Sequence, residues 1–170
     1  MKTVCAWCSK VLREDQSADA LVSHGICPDC VKILLDNTLV SLTEFLDSIE
    51  LPVLVMDETR TIRQVNRIAA KTLGKLVVEL EGLTLGVAIE CLHVGVMGEC
   101  GVSPYCAGCA FLRNIRDTYF DGQPRYGEYS QHKAVMTDGA KTKQFRFSMT
   151  KVGDVVLLMI EEIQELAAAS

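Results

Sequence analysis

The chain has no hydrophobic run long enough to cross a membrane: its most apolar stretches, residues 51–56 (LPVLVM) and 155–160 (VVLLMI), are strand-sized. Its opening residues, MKTVCAWCSK, lack the apolar core of a secretory signal, so a cytoplasmic protein is expected. Basic residues are not in excess. The formal net charge is −5, and lysine and arginine are scattered among acids, leaving no basic face for nucleic acid or anionic lipid. There is no internal repeat, and no low-complexity tract apart from the terminal AAAS. Cysteine is missing from all but two stretches, four within the first thirty residues and four within residues 91–109. In a reducing cytosol such clusters point to metal ligation or redox chemistry rather than disulfides. Two clusters imply two sites.

What is present suffices for one domain with a small appendage, since 49% of the 170 residues are hydrophobic. Residues 1–30 hold little core material beyond Trp7, Val11, Leu12, Leu21, Val22 and Ile26, so this segment needs a staple in order to fold. Residues 31–50 read as a connecting amphipathic helix. Val31, Leu35, Thr38, Leu42, Phe45 and Ile49 alternate steps of four and three, and this stripe would cover the next domain or pair two subunits. Residues 51–163 form the main domain and 164–170 a tail.

Within the main domain, LPVLVMDE reads as a buried strand ending in the turn 57–60, and TIRQVN as a second strand. RIAAKTLG reads as a short helix stopped by Gly74. KLVVELEGLTLGVAIECL suggests helical turns broken at Gly82 and Gly86, and residues 93–105 should be irregular. CAGCAFLRNIRDTYFDGQ has the repeat of a longer helix ending near Gly122. Three strands follow, with hairpin turns at Asp138-Gly139 and Gly153-Asp154. This order, best carried by LPVLVMDETRTIRQVNRIAAKTLG with Asn66 ending the second strand and Glu81-Gly82 after the helix, resembles a PAS domain. The resemblance implies an α+β fold, with a five-stranded antiparallel sheet and helices on one face. It also implies a sensory role.

Cys5-Ala-Trp-Cys8 and Cys27-Pro-Asp-Cys30 are two C-x2-C pairs separated by 18 residues. Each turn lets its thiolates converge on one ion, and two turns make a closed four-thiolate site suited to structural zinc. Metal binding would then supply most of the folding free energy of residues 1–30. CAWCSKVLRED and SHGICPDC also resemble a zinc knuckle found beside sensory modules in bacterial signalling proteins, which assigns the metal to the same four cysteines. His24 reads as a turn residue beside the site rather than a ligand.

Cys91, Cys100, Cys106 and Cys109 are separated by eight, five and two residues, with Gly95, Gly98, Gly101 and Gly108 allowing a loop to wrap an ion or cluster. Cys106 and Cys109 fall at the start of the longer helix, where free amides favour thiolates. In a PAS domain this region borders the ligand pocket, and some bacterial PAS sensors hold an iron–sulfur cluster there. Zinc and a 4Fe-4S cluster both suit four thiolates. His93 reads as an ordinary surface or core histidine. Covalent c-type haem is excluded, because Ser9, Val31 and Ala110 follow the C-x2-C pairs where histidine is required. A thioredoxin-like site lacks the strand that should precede Cys106.

The reading that unites these features is a non-enzymatic, metal-binding PAS sensor that responds to redox state, oxygen or metal status. It would act as a homodimer on a signalling partner such as a kinase or regulator, with no membrane or nucleic-acid role. No kinase, cyclase or helix-turn-helix segment supplies an output. The competing readings are a nucleic-acid-binding zinc protein, a PAS scaffold with purely structural zinc and a small-ligand pocket, and a cysteine-dependent oxidoreductase.

Overall fold

The computed structural model describes residues 1–14, 21–36, 41–136 and 139–166. The N-terminal segment forms β1 (Lys2–Cys5), β2 (Val11–Glu14) and β3 (Val22–Gly25) in the order β2-β1-β3. β1 runs antiparallel to β2 and parallel to β3, which sets Cys5 opposite Gly25. Helix α1 (Pro28–Asp36) follows, with proline in its first turn, where its missing N–H costs no hydrogen bond.

The stripe expected as one helix over 31–49 is instead two helices. Ser41 is extended at φ −68°, ψ 149°, and starts a new helix, α2 (Leu42–Asp47). Its hydroxyl accepts from the Glu44 amide while the Glu44 carboxylate accepts from the Ser41 amide, a reciprocal cap that resets the chain direction. Thr38 and Leu39 of the stripe lie outside the described residues. Phe45, Leu46 and Ile49 are buried, whereas Leu35 is exposed.

The main sheet contains β4 (Val53–Met56), β5 (Ile62–Val65), β6 (Arg125–Met136), β7 (Gly139–Val152) and β8 (Val155–Leu166), ordered β5-β4-β8-β7-β6 and antiparallel throughout. Between β5 and β6 run α3 (Arg67–Leu73), α4 (Val77–Leu80), α5 (Leu85–Ala88), α6 (Leu92–Met97), a 3-10 turn at Pro104–Gly108 and α7 (Ala110–Asp121). The expected α+β class with a five-stranded antiparallel sheet is therefore the fold. No helix among the described residues is long and apolar enough to cross a membrane.

Strand pleating explains the layers, because successive side chains point to opposite faces. Leu54, Met56, Phe145, Phe147, Met149, Leu158 and Ile160 pack under the helices α3 to α7. Val53, Val55, Leu157 and Met159 pack on the other side, against Phe45, Leu46 and Ile49 and the cysteine-bearing N-terminal module. The sheet is thus covered on both faces. A buried polar knot fastens the module: Glu161, whose side chain is 1% exposed, pairs with Arg146 at 2.8 Å. The same carboxylate accepts from the Ser23 and Ser148 hydroxyls and the His24 amide, while Arg146 donates to the Val22 carbonyl.

Local chemistry sets the element ends. Gly74 and Gly122 close α3 and α7 in the left-handed conformation, as expected from their positions. Gly153-Asp154 makes a two-residue hairpin between Val152 and Val155, with Gly153 at φ 57°. The Asp138-Gly139 turn falls at the edge of the described residues, and Asp138 lies outside them. Gly82 does break the chain, at φ 84°, but Gly86 lies inside α5, and α6 occupies part of the 93–105 stretch expected to be irregular. Five apolar and small residues around His93 give α6, Leu92 to Met97, enough of a repeat to form about one and a half turns before Gly98 ends it.

Asn66 is fully buried and caps α3. Its Oδ1 accepts from the Val53 and Ala69 amides, and its Nδ2 donates to the carbonyls of Leu46, Ile49 and Leu51. One side chain thus ties α2, β4 and α3 together. Asn66→Ala leaves several of these groups unpaired, each costing about 1–3 kcal/mol, so the variant should lose several kcal/mol in urea denaturation. A loss below 1 kcal/mol would contradict this role.

Candidate metal centres

The parallel pairing of β1 and β3 brings the two N-terminal C-x2-C turns side by side. Each turn folds back on its own first cysteine: Ser9 donates to the Cys5 carbonyl and Val31 to the Cys27 carbonyl, both at 2.9 Å. The Ala6 amide donates to the Gly25 carbonyl at 2.8 Å and locks one turn to the other. The sulfurs of Cys5 and Cys30 are 3.8 Å apart, as are those of Cys8 and Cys27, and all four lie within 4.8 Å of one another. A zinc ion with Zn–S bonds of about 2.3 Å requires sulfur edges of about 3.8 Å. Two of the edges match this spacing, and the donor set is close enough to hold one ion.

Amides also prepare the site for thiolates. The Cys27 amide points at Cys5 Sγ and the Cys30 amide at Cys27 Sγ, both at 3.4 Å. Burial works against ionising Cys5, but amides of Cys8, Cys27 and Trp7 outweigh it and bring its pKa down to about 7. Burial and the neighbouring sulfurs push Cys30 up. Trp7 packs edge-on against Phe45 at 4.6 Å, so the first turn reaches into the core formed with α2. His24 faces Glu161 and is not among the grouped ligands.

The second four cysteines converge differently. Cys91, Cys100, Cys106 and Cys109 all line one cavity of about 940 Å³ between α5, α6, the 3-10 turn, α7 and β6. Cys91 precedes α6 and bridges to Ala134 of β6, while Cys109 caps α7 and Cys106 lies in the 3-10 turn before it. Among the described residues only the N-terminal set brings its ligand atoms within 4.8 Å of one another, so the second set is more open. Burial raises the thiols of Cys100 and Cys109, and their mutual repulsion with Cys106 adds to this. Amides of Phe111 and Leu112, at the free end of α7, act in the opposite direction on Cys109.

Two polar residues of this cavity were not singled out from the sequence. Ser130 and His132 project inward from β6, with Ser130 Oγ 2.7 Å from His132 Nε2 and the imidazole stacked on Phe111. Burial, with the nearby His93 second, pushes His132 down to about 4, which keeps it neutral at physiological pH. The signal was available: Ser130, His132 and Ala134 alternate along a strand and share its inner face. His93 also lines the cavity and stacks on Tyr105, 4.5 Å between ring centroids.

No family model matches the chain, and no curated protein matches it significantly. The solved structures similar to it are PAS domains. The photoactive yellow protein domain of the sensor histidine kinase Ppr from Rhodospirillum centenum is 14% identical, with 78% of this chain and 99% of that chain covered and a TM-score of 0.45. The PAS domain of the RpfR quorum-sensing receptor from Cronobacter turicensis, in complex with BDSF, is 15% identical over 76% and 100%, with a TM-score of 0.40. The PAS domain of nitrogen regulation protein NR(II) from Vibrio parahaemolyticus is 13% identical over 75% and 100%, at 0.42. With TM-scores below 0.5, the fold assignment rests on the strand order and helix placement described above.

Proposed function

We propose that this chain is a non-enzymatic sensory module with a structural zinc site at Cys5, Cys8, Cys27 and Cys30. Its input site is the cavity lined by Cys91, Cys100, Cys106 and Cys109. The observation that carries the reading is the convergence of four cysteines, from the start of α6 to the start of α7, on one largely apolar cavity. Four thiols around one cavity, with amides at the start of α7 acting on Cys109, form a donor set for a soft metal. The wider spread of the second set supports a 4Fe-4S cluster over a single zinc ion, because a cluster holds its thiolates farther apart. Such a cluster would supply one-electron redox chemistry and sensitivity to oxygen.

The protein's own residues would do the rest. Cys109 belongs to both the cavity and α7, so a change at the sulfurs is felt by the helix that packs on β6, β7 and β8. Output would pass through a second copy of the chain or a signalling partner such as a kinase or regulator.

The test is elemental analysis of protein purified without oxygen, with an absorption spectrum of the same sample. About four irons and four sulfides per chain, with a broad visible band, are expected alongside about one zinc. About two zincs and no visible band would make both sites closed and structural. One zinc and nothing else would overturn the metal reading of the second site and leave its cavity as a small-ligand pocket.

A further inference from the structure

Gly86 is the second residue of the four-residue helix α5. Its backbone is not left-handed, so conformational freedom does not account for it. Space does. A Cβ there would lie 2.8 Å from Cys100 Sγ, 3.1 Å from Cys100 Cβ and 2.8 Å from Val94 Cγ2. Cys100 therefore rests on the bare helix backbone.

The next residue carries a matching feature. Gly101 is at φ 98°, and a Cβ on it would lie 2.9 Å from Arg60 Nη1. The Arg60 guanidinium is thus laid over the backbone beside Cys100. Arg60 reaches it from the β4–β5 turn, where it is itself left-handed at φ 68°. Such a conformation costs a non-glycine residue about 1–2 kcal/mol and persists where the surroundings enforce it. None of the ion pairs among the described residues involves Arg60. Lys133, the cation that lines the cavity, is exposed. Four thiolates around an ion or cluster keep a net negative charge, and a buried negative charge needs a cation close by.

We propose that Gly86 and Arg60 are a positioning pair that makes Cys100 the preformed anchor of the second metal site. Gly86 lets the sulfur seat against its backbone, and Arg60 balances the charge gathered there. The metal part of this inference rests on the reading of the second site given above; the placement of Cys100 does not.

The experiment uses the full chain as wild type, Gly86→Ala, Arg60→Gln and Arg60→Lys, with Val94→Ala and Gly86→Ala/Val94→Ala to separate the Val94 contact. Three readouts are taken: second-site metal per chain, melting temperature, and Cys100 alkylation followed by peptide mass spectrometry. The last uses iodoacetate and iodoacetamide in parallel on protein freed of second-site metal. Gly86→Ala in the Val94→Ala background should melt no lower than Val94→Ala alone, yet hold its second-site metal at least about tenfold more weakly, as for other lost supports of a ligand. Arg60→Gln should lower the ratio of iodoacetate to iodoacetamide rates at Cys100 several-fold, since only the anionic reagent feels the guanidinium. Arg60→Lys should restore most of it. Full metal retention in the Gly86→Ala variants, or an unchanged ratio in Arg60→Gln, would overturn the pair. Should wild type itself carry no second metal, the metal reading of the second site fails, while the alkylation ratio still decides whether Arg60 serves Cys100.

Discussion

Replacing Cys30 with serine, or stripping the first site with a strong zinc chelator, will unfold the N-terminal module while the five-stranded sheet persists. On the proposed zinc site, the four grouped cysteines staple a segment whose own apolar residues include the exposed Val11, Leu21 and Val22. Structural zinc in such modules contributes apparent binding free energies of about 10–16 kcal/mol at neutral pH, and that energy is folding energy. The loss has a second effect. Val55, Leu157 and Met159, fully covered in the intact chain, are left facing water. Amide exchange in β1 and β3 should become fast while β7 and β8 stay protected, and binding of a hydrophobic dye should rise. A Cys30→Ser protein with wild-type protection of β1 and β3 would remove zinc as the staple. Cys8, the exposed member of the set, should be the one whose replacement is best tolerated.

Arg146→Met should be among the most costly single changes away from the cysteines. It leaves Glu161 without its cationic partner at a site of 1% exposure, a situation that costs about 3–5 kcal/mol. Adding Glu161→Gln to Arg146→Met should recover part of the loss, since it removes the stranded charge. Acid is expected to act on the same knot. Burial opposes ionisation of Glu161, but bonds from His24, Ser148 and Ser23 outweigh it and hold the carboxyl below its usual range. A carboxyl depressed in the folded state stabilises above its unfolded pKa of about 4.3, and the contribution disappears as pH falls through the lower folded value. His24 on β3 and Arg146 and Glu162 on the sheet face or flank the same group. Thiolates at the first site also protonate in acid, so the measurement is the difference between wild type and Glu161→Gln in urea denaturation from pH 7 to pH 3. That difference should shrink below pH 4.3. A constant difference across the range would mean that the Glu161 charge does not fasten the module.

The parts of this fold that were legible from sequence are those dictated by neighbours a few residues apart. Gly74, Gly122 and Gly153 declare their turns because only glycine takes their left-handed conformation cheaply. The C-x2-C spacing declares a four-thiolate site, because each turn's own backbone aims both sulfurs. What stayed hidden depends on partners far along the chain. The stripe over 31–49 shows apolar spacing but not that Ser41 and Glu44 would restart the helix within it. Nothing near Glu161 announces that Ser23 and His24 will fold back 137 or more residues to meet it. Gly86 looked like a helix breaker because its real neighbour, the Cys100 sulfur, arrives from fourteen positions on. His132 was passed over because strand alternation was not carried as far as β6.

Helix α7 has a consequence for the molecule's mechanics. It begins at Cys109, in the wall of the large cavity, and ends at Gly122, which borders a groove shared with Leu12, Ile26 and Val31 of the N-terminal part. Twelve residues at about 1.5 Å each make a stiff strut of about 18 Å. The large cavity and the groove against the N-terminal part thus lie at opposite ends of one push-rod. A small axial slide at the cavity end arrives at the groove almost undiminished, because a hydrogen-bonded helix shortens far less readily than its termini shift.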